Sequence, residues 1–331
     1  VSLHSTSDHL WSIILAGGEG GRVASFVYRW LGRPLPKQYC SFVGTRSMFQ
    51  HTLDRAARIT PPTRTVTVVS RAHRQEALTQ LGRRPMGTLL FQPADRNTAA
   101  AIFLPVTYIR ARDPGASVVV FPSDHFVYPE HRFLEVVRRA VQTAEARPDR
   151  LVLTGATPDR LEVEYGWIER GLPLSGTSGE QVDGVRSFLE KPSIMQADAA
   201  LHTGALWNTL VFAAKADLLW NLGWQCFPDI MPLFERLSQA IGGPDEGRAL
   251  EAISQDMPAK NFSSDLLQRV PEQLAVVELS GVLWSDWGKP ERITETLRRI
   301  DRRPAFSLAC LDHPFTPIPL LREHGSLNAP T

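Results

Sequence analysis

An apolar run, Trp11-Ser12-Ile13-Ile14-Leu15-Ala16, empties into Gly17-Gly18-Glu19-Gly20-Gly21-Arg22, and Pro36-Lys37-Gln38 follows. A short apolar run with β-branched residues that ends on glycines reads as a buried strand feeding a loop. The loop's backbone N–H groups are bare of Cβ atoms, so another group can approach them closely. Successive bare N–H groups form a nest for anionic oxygens. Arg22 and Lys37 add two mobile positive charges, and the combination suits a triphosphate. Two commoner phosphate loops are excluded. A dinucleotide fingerprint counted from Gly18 and Gly20 needs its third glycine where Val23 stands. The Walker loop needs Gly-Lys-Ser/Thr after four residues, and nothing here supplies it.

After this loop the chain alternates. Helical spacing is read at 47–59, 72–81, 98–112 and 130–147, and strands at 65–70, 88–92, 117–121 and 151–155. Such alternation predicts an α/β fold, a mostly parallel sheet covered on both faces by helices. The second half changes character. Strands are read at 165–169, 182–190 and 274–279, with a Ser/Thr/Gly loop at 174–179. Helices are read at 197–202, 216–222, 230–241 and 290–299. From Arg302 on, prolines are frequent and periodicity is lost, so an irregular tail is expected.

Composition narrows the class. The 331 residues hold 36 basic and 35 acidic side chains, a net charge of +1, which gives no bulk field for nucleic acid. No stretch approaches the length of a membrane span. Three cysteines, Cys40, Cys226 and Cys310, are far apart and odd in number, which suggests neither a disulfide framework nor a zinc site. A reducing cytoplasm fits best.

Several further motifs carry chemistry. Gln92-Pro93-Ala94-Asp95-Arg96-Asn97-Thr98 is a polar turn before an apolar helix, with Asn97 or Thr98 available as an N-cap. Val118-Val119-Val120-Phe121-Pro122-Ser123-Asp124-His125 puts an Asp just past a central strand, where open α/β sheets bind ligands. His125 is read as structural. Trp284-Ser285-Asp286-Trp287-Gly288 offers a second carboxylate in a turn. Glu164-Tyr165-Gly166-Trp167-Ile168, Phe188-Leu189-Glu190-Lys191-Pro192 and Leu206-Trp207-Asn208 complete the set. Taken alone, the Asp turns could be caps, and the Glu-Lys-Pro an ordinary surface stretch.

Taken together, Leu-Ala-Gly-Gly-x-Gly-x-Arg with Pro-Lys-Gln and these later motifs resembles the sugar-phosphate nucleotidylyltransferases. Within that family the branch joining GTP to mannose 1-phosphate is the most similar. The resemblance runs from about Trp11 to about Ile300. It implies a Rossmann-like fold, mixed but mostly parallel, as one domain over 1–300. The nucleotide half would be about 10–160 and the sugar half about 161–300, with 301–331 as the tail. It implies that Leu15, Ala16, Gly17, Gly18, Gly20 and Gly21, with Gln92, Arg96, Asn97, Thr98 and Ser123, hold the nucleotide. Arg22, Lys37 and Asp124 would be catalytic, and Asp124 and Asp286 would hold Mg²⁺. Gly166, Glu190, Lys191 and Asn208 would meet the sugar phosphate. A homodimer is compatible with the resemblance, and neither nucleic acid nor a membrane is implied as a partner.

The chain departs from the family pattern in three places. Gly21 stands where the family has Thr, the segment between Arg22 and Pro36 is longer, and Thr209-Leu210 replaces Ser-Gly after Trp-Asn. Other readings within reach are a uridylyl- or adenylyltransferase, a glycosyltransferase of similar fold, and an inactive nucleotide-sugar sensor. A glycosyltransferase would be expected to show Asp-x-Asp where this chain has Ser123-Asp124-His125. A sensor would be expected to have lost Arg22, Lys37 or an acidic ligand.

Overall fold

A computed structural model describes residues 8–85, 87–92, 96–174 and 181–311. The residues 93–95 of the polar turn, most of the loop expected at 174–179, and the tail from 312 lie outside the described residues. Strand β1 (Leu10–Ala16) leads through the glycine loop to α1 (Ala24–Leu31) and α2 (Met48–Ala57). Then come β2 (Thr65–Ser70), α3 (Arg74–Leu81), β3 (Thr88–Gln92), α4 (Asn97–Arg112), β4 (Ser117–Pro122), β5 (Phe126–Tyr128), α5 (Glu130–Ala146) and β6 (Leu151–Ala156). The second half holds β7 (Trp167–Pro173), β8 (Val182–Leu189), α6 (Ile194–His202), β9 (Leu206–Lys215), α7 (Ala216–Cys226), α8 (Met231–Ala240), α9 (Glu246–Asp256) and α10 (Phe262–Asp265). It closes with β10 (Leu274–Glu278), β11 (Leu283–Ser285) and α11 (Pro290–Arg299).

Nine strands form one sheet in the order β3-β2-β1-β4-β9-β6-β10-β8-β7. The pairs β3–β2, β2–β1, β1–β4 and β6–β10 are parallel, while β4–β9, β9–β6, β10–β8 and β8–β7 are antiparallel. The sheet is therefore mixed, which corrects the expectation of a mostly parallel one. β8 contributes by running against β10 and β7, and the central contribution is β9. It inserts between β4 and β6 and runs against both. Its sequence, LWNTLVFAAK, holds a single β-branched aliphatic residue and no strict alternation, so no strand is read there from sequence. Helices α1, α9 and α10 and the β5–β11 ribbon likewise carry no signal that the sequence reading uses.

Alternation along the strands sorts the core into two layers, one on each face of the sheet. Ile14, Val119, Val152, Ala213 and Val277 pack into one layer with Phe49, Phe133, Val137 and Leu297. Ile13, Val118, Leu153, Phe212 and Val276 pack into the other with Phe103, Leu219, Phe234 and Phe262. Helix α4 is buried along most of its length, as its sequence suggests. Phe212 of β9 is fully buried and stacks on Phe262, with ring centroids 5.3 Å apart and planes 10° from parallel.

This placement of β9 has a direct check. Phe212→Ala should lower unfolding free energy by about 3–5 kcal/mol, the usual cost of emptying a well-packed aromatic site. The measurement is urea denaturation followed by circular dichroism. A loss below about 1 kcal/mol, the range of a surface change, would contradict the central position of β9.

Candidate active site

The glycine loop leaves the end of β1 and is pinned from below. Gln38 Nε2 donates to the carbonyls of Ala16 and Gly18, at 3.1 and 2.8 Å, and the Tyr39 hydroxyl donates to Ala16 at 3.1 Å. Ser123 fixes the preceding residue, its N–H and hydroxyl both donating to the Leu15 carbonyl, at 3.0 and 2.7 Å. Gly20 has a φ of 64°, and a Cβ there would lie 2.8 Å from the Lys37 backbone nitrogen. Gly18 and Gly21 face open space, where an added Cβ would meet nothing within 4 Å. The loop thus packs Gly20 onto Lys37 and leaves Gly18 and Gly21 open to a ligand.

Two adjoining cavities share Asp124. The smaller, about 190 Å³, is lined by Gly20, Gly21, Arg22, Val23, Lys37, Asp124 and Gly288. The larger, about 280 Å³, is lined among others by Leu15, Gly17, Gly18, Gln92, Asn97, Thr98, Asp124 and Leu210. Most of the nucleotide-binding residues read from sequence therefore border one space. Arg96 is directed elsewhere. Its guanidinium donates to the carbonyls of Ser254 and Gln255 at the end of α9. Neither Asn97 nor Thr98 caps α4 from the preceding position. Asn97 is its first residue, with a φ of 67° and its Oδ1 accepting from Thr98 N at 2.7 Å. Thr98 Oγ1 accepts from Phe262 N at 2.8 Å and so serves α10.

Lys37 is 4% exposed and joins the two carboxylates. Its Nζ lies 3.0 Å from Asp124 Oδ2 and donates to the backbone carbonyl of Asp286. Asp286, 5% exposed, is held on every side. Its Oδ1 accepts from the Tyr165 hydroxyl at 2.6 Å, Arg292 at 3.0 Å and Gly288 N at 3.0 Å, and its Oδ2 accepts from Arg22 at 2.7 Å. Burial alone would raise its pKa. The charge of Lys37, the Tyr165 hydroxyl, the Gly288 amide and Arg22 outweigh burial and hold the carboxyl well below the usual range. Asp124 is lowered in the same way: burial is outweighed by Lys37 and His125. His125 itself is pushed down, chiefly by burial.

The sugar-side residues form a second group. A Cβ on Gly166 would lie 3.0 Å from Glu190 Oε2 and 3.3 Å from Asn208 Cβ, so these three residues adjoin. Burial raises the Glu190 pKa, and Lys191 offsets this only in part. Lys191 itself is exposed just past β8, with a φ of 45°. Asn208 N donates to Gly166 O at 2.8 Å, and Asn208 Oδ1 accepts from Leu210 N at 3.1 Å. Here the β6–β9 register shifts, Thr209 Oγ1 donates to the Thr154 carbonyl at 2.7 Å, and Leu210 takes a φ of 55°. The unusual Thr209-Leu210 pair thus forms an irregularity in β9, with Leu210 turned toward the larger cavity.

Sequence reasoning missed four participants: Glu162, Glu164, Lys289 and Arg292. Arg292 is 5% exposed and pairs with Asp286, with Glu162, and with Glu164 at 3.2 Å. Tyr165, next to Gly166, couples the two groups through its hydroxyl on Asp286. The only signal in the sequence was proximity. Glu164 and Tyr165 sit inside a quoted motif, and Lys289 and Arg292 lie a short way after Asp286.

Among the described residues no three His, Cys, Asp or Glu side chains gather as a metal cluster. Two carboxylates nevertheless suit Mg²⁺, which takes its remaining ligands from phosphates and water. Asp124 borders both cavities, with Oδ2 paired to Lys37 and Oδ1 the oxygen left to a cation. Asp286 fits through Oδ2 alone, whose one side-chain partner is the half-exposed Arg22.

Comparison with known proteins agrees with this geometry. The Nucleotidyl transferase family matches residues 11–302. A mannose-1-phosphate guanylyltransferase of Escherichia coli K12 is 30% identical over 289 residues, covering 84% of this chain and 58% of that protein. One of Salmonella typhimurium LT2 is 30% identical over 291 residues, again covering 84% of this chain and 58% of the relative. The chain thus spans little more than half the length of these relatives. A crystal structure from Thermus thermophilus, described as a mannose-1-phosphate geranyltransferase, superposes with a TM-score of 0.72 at 27% identity. It covers 86% of this chain and 79% of its own. The glycine loop, the paired carboxylates and a match over most of the length agree: the chain belongs to the nucleotidyl transferase family.

Proposed function

We propose that the chain is a mannose-1-phosphate guanylyltransferase, forming GDP-mannose and pyrophosphate from GTP and mannose 1-phosphate. The observation that carries this reading is the convergence of Arg22, Lys37 and Asp124 on one small cavity edged by Gly20 and Gly21, with Asp286 beside it. The names of the relatives support the choice of sugar and base.

An oxygen of the sugar phosphate attacks the α-phosphorus of GTP in line. The bond from that phosphorus to the α–β bridging oxygen breaks, and pyrophosphate leaves with the electron pair. No covalent enzyme intermediate is needed, so positioning and charge neutralisation carry the rate. Lys37 has three donors, two of them already used by Asp124 and the Asp286 carbonyl. The third is available to a phosphate oxygen. Arg22, half exposed at the loop's end, meets the charge that develops on the leaving group. Magnesium held by Asp124 and Asp286 would add neutralisation at the α-phosphate. Lys191 orients the attacking phosphate, and Glu190 and Asn208 accept from or donate to sugar hydroxyls. Gln92, Asn97 and Thr98 offer amide, carbonyl and hydroxyl groups to a purine edge. The free thiols of Cys40, Cys226 and Cys310 suit a reducing compartment such as the cytoplasm.

The test is a matrix of nucleoside triphosphates against hexose 1-phosphates, read as pyrophosphate release. GTP with mannose 1-phosphate should give the highest kcat/KM, because a site built to hydrogen-bond guanine leaves groups unpaired with other bases. Equal use of UTP or ATP would overturn the guanine assignment. Release without any hexose 1-phosphate would overturn the transferase reading.

Glu190 supplies a second check. Its folded pKa is raised above the unfolded value, so its contribution to stability falls as pH rises from the unfolded pKa through the folded one. At neutral pH its charge is therefore a cost accepted for binding. Glu190→Gln should raise the thermal midpoint at pH 7 more than at pH 4, while raising KM for the sugar phosphate. A midpoint lowered equally at both pH values would contradict this role.

A further inference from the structure

We propose that Arg22 stands in for the divalent cation on Asp286 while the nucleotide is absent, and that Glu164 is the carboxylate that parks it there. The inference rests on the nucleotidyltransferase reading and assigns Glu164 a positioning role within it.

The seat is built for a guanidinium. Arg22 spans two carboxylates, with one terminal nitrogen 2.7 Å from Asp286 Oδ2 and the other 3.2 Å from Glu164 Oε2. A Cβ on Gly288 would lie 2.6 Å from Arg22 Cζ and 2.7 Å from its Nη2, so only a glycine lets the guanidinium lie against this turn. Glu164 is fixed in turn by Lys289 at 3.3 Å and Arg292 at 3.2 Å. These cations hold its carboxyl below the ordinary range against the effect of burial.

Charge balance gives the arrangement a consequence. Four cations, Arg22, Lys37, Lys289 and Arg292, face four carboxylates, Asp124, Asp286, Glu162 and Glu164. With Arg22 seated the cluster is neutral and Asp286 Oδ2 is taken, so a free divalent cation finds little to attract it. A triphosphate offers Arg22 new partners. Once Arg22 moves onto the phosphates, Oδ2 is released and the cluster is one positive charge short. The cation is thereby drawn in together with the triphosphate and not before it.

The test uses probes that carry neither base nor sugar, so it stands apart from the choice of substrates. Mn²⁺ binding to the nucleotide-free chain is followed by the electron paramagnetic resonance signal of free Mn²⁺. Wild type should bind weakly. Arg22→Met should bind about tenfold more tightly, the size of one lost charge-assisted competitor. Adding Asp286→Asn should remove that gain, which a mere change of overall field would leave largely in place. Unchanged or weaker Mn²⁺ binding by Arg22→Met would overturn the proposal. The Arg22 side chain is half exposed, so its replacement leaves the core intact.

Glu164 is tested with inorganic tripolyphosphate in excess chelator, by calorimetry. Glu164→Gln should bind it roughly three- to tenfold more tightly, because Arg22 is no longer held back. That gain should vanish in an Arg22→Met background, since Glu164 acts through Arg22. A gain of equal size in both backgrounds would show a field effect only and would overturn the parking role. Should the probes behave as expected while no triphosphate is turned over, the functional reading fails and the Arg22 seat stands.

Discussion

The carboxylate of Asp286 is almost wholly removed from water, and its two oxygens take four donors, from Arg22, Tyr165, Gly288 and Arg292. An unpaired charge so buried would cost several kcal/mol. Pairing it draws together the end of the glycine loop, the start of β7, the turn after β11 and the first turns of α11. Lys37 ties the same residue, through its backbone carbonyl, to Asp124 at the end of β4. The site is therefore assembled from distant stretches by one electrostatic knot, laid over a sheet whose own stability comes from the two apolar layers.

The knot explains why rigid and movable parts adjoin. Arg292 and Tyr165 are buried and hold Asp286 Oδ1 from the core side. Arg22 holds Oδ2 from the solvent side and is half exposed. One oxygen is fixed by buried groups, and the other by a half-exposed side chain. A site of this kind keeps its geometry preorganised while offering one exchangeable ligand position. Asp124 lies where the two cavities meet.

Much of this was legible in the sequence, because continuous apolar runs ending in glycine or Asp mark strand ends whatever surrounds them. Strands β1 and β4 follow that signal, while β2, β3 and most of the helices around them are read from their apolar periodicity. Strand β9 does not, since Leu206–Lys215 lacks alternation and holds one β-branched aliphatic residue, and its place between β4 and β6 is a property of tertiary packing. The same limit applies to side chains. Arg96 sits in the right turn, yet its guanidinium is taken by carbonyls of α9, a partner far away in sequence. Ser123 is spent on the Leu15 carbonyl and shapes the loop from behind. Glu164 and Arg292 acquire meaning only when α11 is brought against the start of β7.

The central claim is that the two carboxylates share one cation once a triphosphate has taken Arg22 away. The most direct measurement is a crystal structure of the chain with GTP and Mn²⁺, with the metal located by its anomalous scattering. The peak is expected within coordination distance of both Asp124 and Asp286, with the Arg22 guanidinium on the phosphates. A peak away from either carboxylate, or Arg22 still bound to Asp286 beside an ordered triphosphate, would contradict the account.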